Sequence, residues 1–210
     1  MITLALDTCL GACSVAVMDG DRVLASMSEA MTRGHQERLA PMTREVMSAA
    51  RLAFSELDRI GVTVGPGSFT GLRVGLAFAK GLAMALNRPC VGVGSLEALA
   101  ASAAGACAAV IDAGRGNVYW QQFDGGRAVS GPDVMALETA AARLVETHNL
   151  GDVTLVGPTA SVLAAVSGTA RQVVLASPDP ATVAALAARA PLAPPRPLYL
   201  RPPDAKPKAT

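Results

Sequence analysis

Two aspartates stand where an acid at the end of a strand could do phosphate chemistry. Asp7 closes the apolar run "ITLALD" and Asp112 closes "AAVID"; Gly11 follows the first, and Gly114 and Gly116 follow the second. A carboxylate in that place can hold magnesium, and glycines beside it let phosphate oxygens reach backbone N–H groups. Asp7, Gly11, Asp112 and Gly114 are therefore the candidate nucleotide-binding turns. The same residues also have a structural use, because an Asp side chain can tie off a turn by accepting from its own backbone. A nuclease fits less well: two-metal chemistry needs clustered carboxylates, and the apolar run 60–64 carries none.

A third stretch, "GPGSFTGLRVG" (65–75), joins that apolar run to a long apolar segment ending near Asn87. It matches neither phosphate-loop template: there is no G-K-[ST], and Gly65-x-Gly67 is not completed by a glycine three residues on. Gly65-Pro66-Gly67 reads as a turn and Ser68 as the cap of the following helix. His35 and His148 are far apart in sequence and make no metal pair. Cys9 and Cys13 are spaced C-x3-C with no His or second close Cys pair, so zinc is not expected. With Cys90 and Cys107 they read as free thiols of a reducing compartment. No catalytic residue and no metal site of the chain's own is expected.

Composition narrows the classes further. Hydrophobic residues make up 51% of 210 and aromatics only 3%, so the core must be built from aliphatic side chains. The net charge is +1, from 18 basic and 17 acidic residues, without the basic excess or stacking aromatics of a dedicated nucleic-acid binder. RNA contact by the isolated chain would fall to Arg196, Arg201, Lys206 and Lys208. The N-terminus "MITLALDTCLG" has no basic lead, and the apolar segment 74–86 contains Lys80 and is short for a bilayer. The expectation is a cytoplasmic protein with no membrane partner.

Positioning these residues requires the following elements. Residues 2–8, 12–18 and 22–29 read as strands, the last two joined by an Asp19-Gly20 turn. A helix over 35–51 presents Leu39, Met42, Val46 and Ala49 on one face. Then come a strand (60–64), a helix (69–87) and a strand (90–94). The pattern recurs: "LALDTCLGACSVAVMDGDR" (4–22) aligns with "AVIDAGRGNVYWQQFDGGR" (109–127) at a constant offset, 112 − 7 = 105. A weaker echo pairs "TVGPGS" (63–68) with "TLVGPTA" (154–160). The second copy continues with a helix (137–148), strands (153–157 and 172–176) and a helix (180–189). The expected fold is α/β, a duplicated ribonuclease-H-like fold of the actin-like (ASKHA) type in two lobes: 1–104, a smaller 105–190, and a Pro-rich tail 191–210 in which Leu198 to Leu200 dock as an extended strand.

Helix 69–87 is apolar almost all round, with Arg73, Lys80 and Asn87 on one narrow stripe. So wide a belt needs a cover beyond one sheet, whether another lobe or another chain. Gly71, Gly75 and Ala79 lie on adjoining turns and would admit a second helix.

"ALDTCLGACSVAV", "HQERLAPM", "GPGSFTGLRVGLAFAKGLA", "IDAGRGNVYW" and the terminal "YLR" together resemble the bacterial TsaB (YeaZ) family, from residue 2 to about 201. The resemblance implies an actin-like fold without catalysis of its own. It implies partnership with the catalytic paralogue TsaD and the ATPase TsaE in making N6-threonylcarbamoyladenosine (t6A) at position 37 of tRNAs that read codons starting with A. It further implies a homodimer when TsaD is absent, tRNA contact only through the complex, and no cofactor beyond weak or shared nucleotide binding. TsaD carries a metal-binding H-x-E-G-H; the corresponding stretch here is "GSLEALA" (94–100), with Ser95 and Leu99 at the histidine positions and Glu97 retained. The partner interface is then expected on Leu39, Met42, Val46, Gly71, Val74, Gly75, Phe78, Ala79 and Leu82. The alternative is a nucleotide-using kinase or an M22-type metallopeptidase of the same fold.

Overall fold

The computed structural model describes residues 1–147, 153–168 and 171–201; His148, Lys206 and Lys208 lie outside them. The first lobe comprises β1 (Ile2–Asp7), β2 (Ala12–Asp19), β3 (Arg22–Ala30), α1 (His35–Ala49), β4 (Arg59–Thr63), α2 (Phe69–Leu86), β5 (Cys90–Val93) and α3 (Ser95–Ala100). Its sheet runs β3-β2-β1-β4-β5. β1 to β3 pair antiparallel, while β4 and β5 run parallel to β1.

Side chains alternate across a strand, and here the alternation separates large from small. Leu4, Leu6, Val15, Val17, Ile60 and Val62 meet Leu39, Met42, Val46, Leu72 and Leu76 of α1 and α2. Ala5, Ala16, Met18, Val91 and Val93 face the other way, against Val183, Ala184 and Ala187 of α6 (Pro180–Arg189). The alanines on that side let α6 come close: a Cβ on Gly61 would lie 2.3 Å from the Ala187 Cβ. Arg59 reaches past the strand end and donates through Nη1 to the carbonyls of Ala187, Ala188 and Ala190 at 2.8 to 3.0 Å, closing the C-terminal end of that helix. The expected second lobe, 105–190, is therefore cut short. Its last helix forms the back layer of the first lobe.

The second lobe comprises β6 (Cys107–Gly114), β7 (Asn117–Asp124), β8 (Arg127–Ala128), β9 (Asp133–Ala136), α4 (Leu137–Thr147), β10 (Thr154–Val156), α5 (Ala160–Ser167) and β11 (Gln172–Val173). The sheet runs β11-β10-β6-β7-β8, with β9 also on β7. β6 and β7 are antiparallel and β10 and β11 parallel to β6, so the strand scheme of the first lobe is repeated. Trp120, Leu144, Leu155 and Leu163 form its core. The lobes meet where Leu96, Leu99 and Ala100 of α3 pack on Cys107, Ala109, Ile111, Phe123 and Val156.

Residues 191–201 form an extended strap, with Leu198 to Leu200 docked as expected. Pro195 is buried, the Leu198 N–H donates to the Val64 carbonyl at 2.8 Å, and Arg201 donates to the Ala113 carbonyl of the second lobe.

Candidate functional site

The first candidate turn is sealed. Asp7 is fully buried, and its Oδ1 accepts from the Cys9 N–H at 3.0 Å and the Thr63 hydroxyl at 2.5 Å. Its Oδ2 has no partner. Burial pushes the Asp7 carboxyl above its ordinary range, opposed in part by the Thr63 bond. The neighbouring Cys9 thiol is pushed up to about 12, chiefly by the same burial. The Gly11 N–H, which a phosphate would need, donates instead to the Ala176 carbonyl at 3.1 Å.

The glycine stretch explains the seal. A Cβ on Gly67 would lie 2.3 Å from the Cys9 carbonyl oxygen, one on Gly71 would lie 1.9 Å from that of Thr8, and one on Gly75 would lie 2.6 Å from the Thr8 hydroxyl. The Ser68 N–H donates to the Cys9 carbonyl at 2.7 Å, and the Thr8 hydroxyl donates to Gly71 O at 2.7 Å. What approaches these glycines is the chain's own Asp7–Cys9 turn, pressed against the start of α2. Ser68 caps that helix as expected, its Oγ accepting from the Gly71 N–H at 3.2 Å.

The second turn stays open. Asp112 is exposed and accepts from the Gly114 N–H at 2.7 Å, the counterpart of the Asp7–Cys9 bond. Both aspartates thus tie off their turns. Asp112, Gly116 and Asn117 line a cavity of about 390 Å³ with Leu137, Thr159 and Val162, while Arg201 covers the Gly114 side. A second cavity of about 370 Å³ lies where α1 and α2 begin, lined by residues 32–37 together with Ser68, Thr70, Gly71 and Val74. Asp7, Gly11 and Gly114 line neither cavity, so the four expected nucleotide residues share no pocket among those described. Among the described residues no group of three or more His, Cys, Asp or Glu side chains is placed to hold a metal ion. Ser95 and Leu99 are both fully buried, Leu99 between the lobes.

The residues expected at the interface lie mostly on the inward side of their helices. Leu39, Met42 and Val46 are in the first lobe's own core, because α1 turns its apolar stripe to the sheet. Gly71, Gly75 and Ala79 are buried as well, since the close approach they permit is inward. Val74, Phe78 and Leu82 are half-buried at the margin of that core. The outward face of α2 is instead Thr70, Ala77, Gly81, Met84 and Ala85, with Met84 83% exposed. At 100° per residue these lie opposite Leu72, Leu76 and Ala79, a signal the sequence carried. Gly81 has open space where a Cβ would go. α2, close to the expected 69–87, has 18 residues and by length and composition alone is apolar enough to cross a bilayer.

Phe69 and Tyr199 close one end of this face, their rings 5.5 Å apart and each about half exposed. No local sequence pattern pairs them. Their contact depends on the strap returning along β4.

Two lobes built on the same strand scheme, each with an Asp-closed first turn, define an actin-like (ASKHA) α/β protein. Component A of the (R)-2-hydroxyglutaryl-CoA dehydratase of Acidaminococcus fermentans shares the fold, with a TM-score of 0.54 at 12% identity over 90% of this chain and 96% of that one. YeaZ from Pseudomonas aeruginosa superposes with a TM-score of 0.82 at 31% identity, covering 94% of this chain and 99% of that one. The profile of the family described as "TsaD: tRNA N6-adenosine threonylcarbamoyltransferase" matches residues 23–206. The tRNA threonylcarbamoyladenosine biosynthesis protein TsaB of Escherichia coli is 36% identical over 128 residues, 59% of this chain but only 55% of that protein. The Mycobacterium bovis protein Mb3455c is 37% identical over 98% of this chain and 94% of its own length. The chain belongs to the TsaB (YeaZ) family, within the wider family that the TsaD profile describes.

Proposed function

We propose that this protein is a non-catalytic partner subunit in t6A synthesis, docking through the outward face of α2 on a TsaD-type catalytic subunit and serving with a TsaE-type ATPase in the cytoplasm. The observation that carries the reading is the exposed apolar face itself. Ala77, Gly81, Met84 and Ala85 form a continuous strip on a helix otherwise seated in its own core, and such strips on soluble domains mark association sites. The sealed first turn supports the absence of independent phosphate chemistry, because Gly11 and Cys9 have already committed their N–H groups. Ser95 and Leu99 in place of imidazoles argue against a metallopeptidase. tRNA is met through the complex, and in the absence of a catalytic partner the same face pairs two copies. The test is reconstitution of tRNA threonylcarbamoylation from purified TsaD-type and TsaE-type proteins, threonylcarbamoyl-adenylate and tRNA. Turnover should require this chain, and this chain alone should give none. Turnover by the chain without the TsaD-type protein would overturn the proposal.

A further inference from the structure

We propose that the outward face of α2 selects a partner helix that is apolar along its centre and acidic along one edge. This rests on the docking role above and adds what the partner must look like. α2 contains two charged side chains, Arg73 and Lys80, both basic and both exposed. Seven residues apart, they fall within about 20° of each other around the helix, forming a basic edge beside the Ala77–Gly81–Met84 strip.

The first of these cations is held in place. The Arg73 guanidinium carbon lies 3.7 Å from the centre of the Phe69 ring, and its Nε donates to the Tyr199 hydroxyl at 3.3 Å. A guanidinium fixed by two aromatic rings has less freedom to lose when a carboxylate arrives. Of the two carboxylates on the adjacent helix, Glu45 is committed to a cation and Glu37, exposed, keeps its charge near the start of α2. Glu45 is bonded to Arg38 at 2.7 Å, and Glu37 accepts from the Gln36 side chain at 2.9 Å.

Self-pairing satisfies this edge poorly. In a two-fold antiparallel pairing of α2 on its copy, the same edge of each helix lies over the other, so Arg73 and Lys80 face like charges. A different chain with carboxylates one heptad apart satisfies both the strip and the edge.

The experiment compares wild type, Lys80→Glu, Lys80→Arg and Ala77→Trp. It measures affinity for a purified TsaD-type protein at low and high salt, sedimentation of the chain alone, and thermal melting. Lys80→Glu should melt like wild type, bind the TsaD-type protein about tenfold more weakly at low salt, lose most of the salt dependence, and self-associate more strongly; Lys80→Arg should behave as wild type. Unchanged affinity and salt dependence in Lys80→Glu, with Ala77→Trp failing to bind, would overturn the acidic-edge inference and leave the docking face standing. Wild-type binding by a folded Ala77→Trp would overturn the docking face and the inference with it.

Discussion

The turns after β1 and β6 start from the same residue plan and end in opposite states. In each, a strand-end aspartate accepts from the N–H two residues on, Asp7 from Cys9 and Asp112 from Gly114. The first is then buried beneath α2, because Gly67, Gly71 and Gly75 remove every side chain that would hold the helix away. The second faces a cavity and solvent, with Arg201 of the strap laid against it. A duplicated unit can thus keep its backbone bond while one copy becomes core and the other remains surface. The first turn serves as a platform for a helix whose other side is free for a partner.

The sharpest way to break this contrast is to force α2 off the first turn. Gly71→Ala places a Cβ against the Thr8 carbonyl, and overpacking of rigid backbone should cost about 3 kcal/mol or more, read as a collapsed melting temperature or insoluble protein. Gly75→Glu should also unfold the lobe rather than merely block association. A well-folded Gly71→Ala would mean that the turn and helix are not in contact.

Next in size is the back layer. Arg59→Ala removes three bonds to the end of α6, and loss of a charge-assisted cap should cost about 2 kcal/mol in denaturant unfolding. If α6 belonged to the second lobe, the change would leave stability nearly untouched.

Asp7→Asn tests the seal through pH. A carboxyl whose folded pKa is raised favours its protonated form in the native state. Stability therefore falls as pH rises from the ordinary value of 3.8 through the raised value, and the penalty persists above it. Asn retains an acceptor for Cys9 and Thr63, so Asp7→Asn should equal or exceed wild type at neutral pH. It should lose that advantage in acid, with a difference of about 1 kcal/mol. Asp112→Asn, in the exposed turn, should shift stability by no more than about 0.5 kcal/mol. Equal behaviour of the two variants at every pH would erase the distinction between the turns.

The last effect is opposite in sign to that at Gly71. Gly81→Ala meets open space in a helix interior and should stabilise the isolated protein by about 1 kcal/mol, against the destabilisation at Gly71 two to three turns earlier. A destabilised Gly81→Ala would mean that this side of α2 is covered within the chain.

These contrasts also mark what the sequence made legible. The paired strands are visible because Leu4, Leu6 and their counterparts alternate with period two up to Asp7 and Asp112, each with a glycine soon after (Gly11 and Gly114). The Ser68 cap and the helix after it followed from local chemistry alone. The allegiance of α6 was not visible: an alanine-rich helix carries no size or charge signal that chooses between two sheets, and only Gly61 and Arg59, more than a hundred residues away, decide it. The glycines of 65–75 announced a close approach without saying to what. Gly71 and Gly75 read as facing an outside helix because the Thr8 carbonyl and Thr8 hydroxyl they meet belong to a turn far earlier in the chain. The two aspartate turns are where the sequence puts them, and the Gly114 N–H is taken locally by Asp112, yet the Gly11 N–H goes to the Ala176 carbonyl, a contact no local pattern encodes.

The central claim, that the partner sits on the outward face of α2 and not on the open turn of the second lobe, is tested most directly by site-specific cross-linking. Met84→Cys and Val162→Cys, each labelled with a benzophenone maleimide and mixed with the TsaD-type protein, place the same photoprobe beside the two regions. A cross-linked heterodimer is expected from position 84 and none from position 162; a heterodimer from position 162 with none from position 84 would place the partner on the second lobe instead.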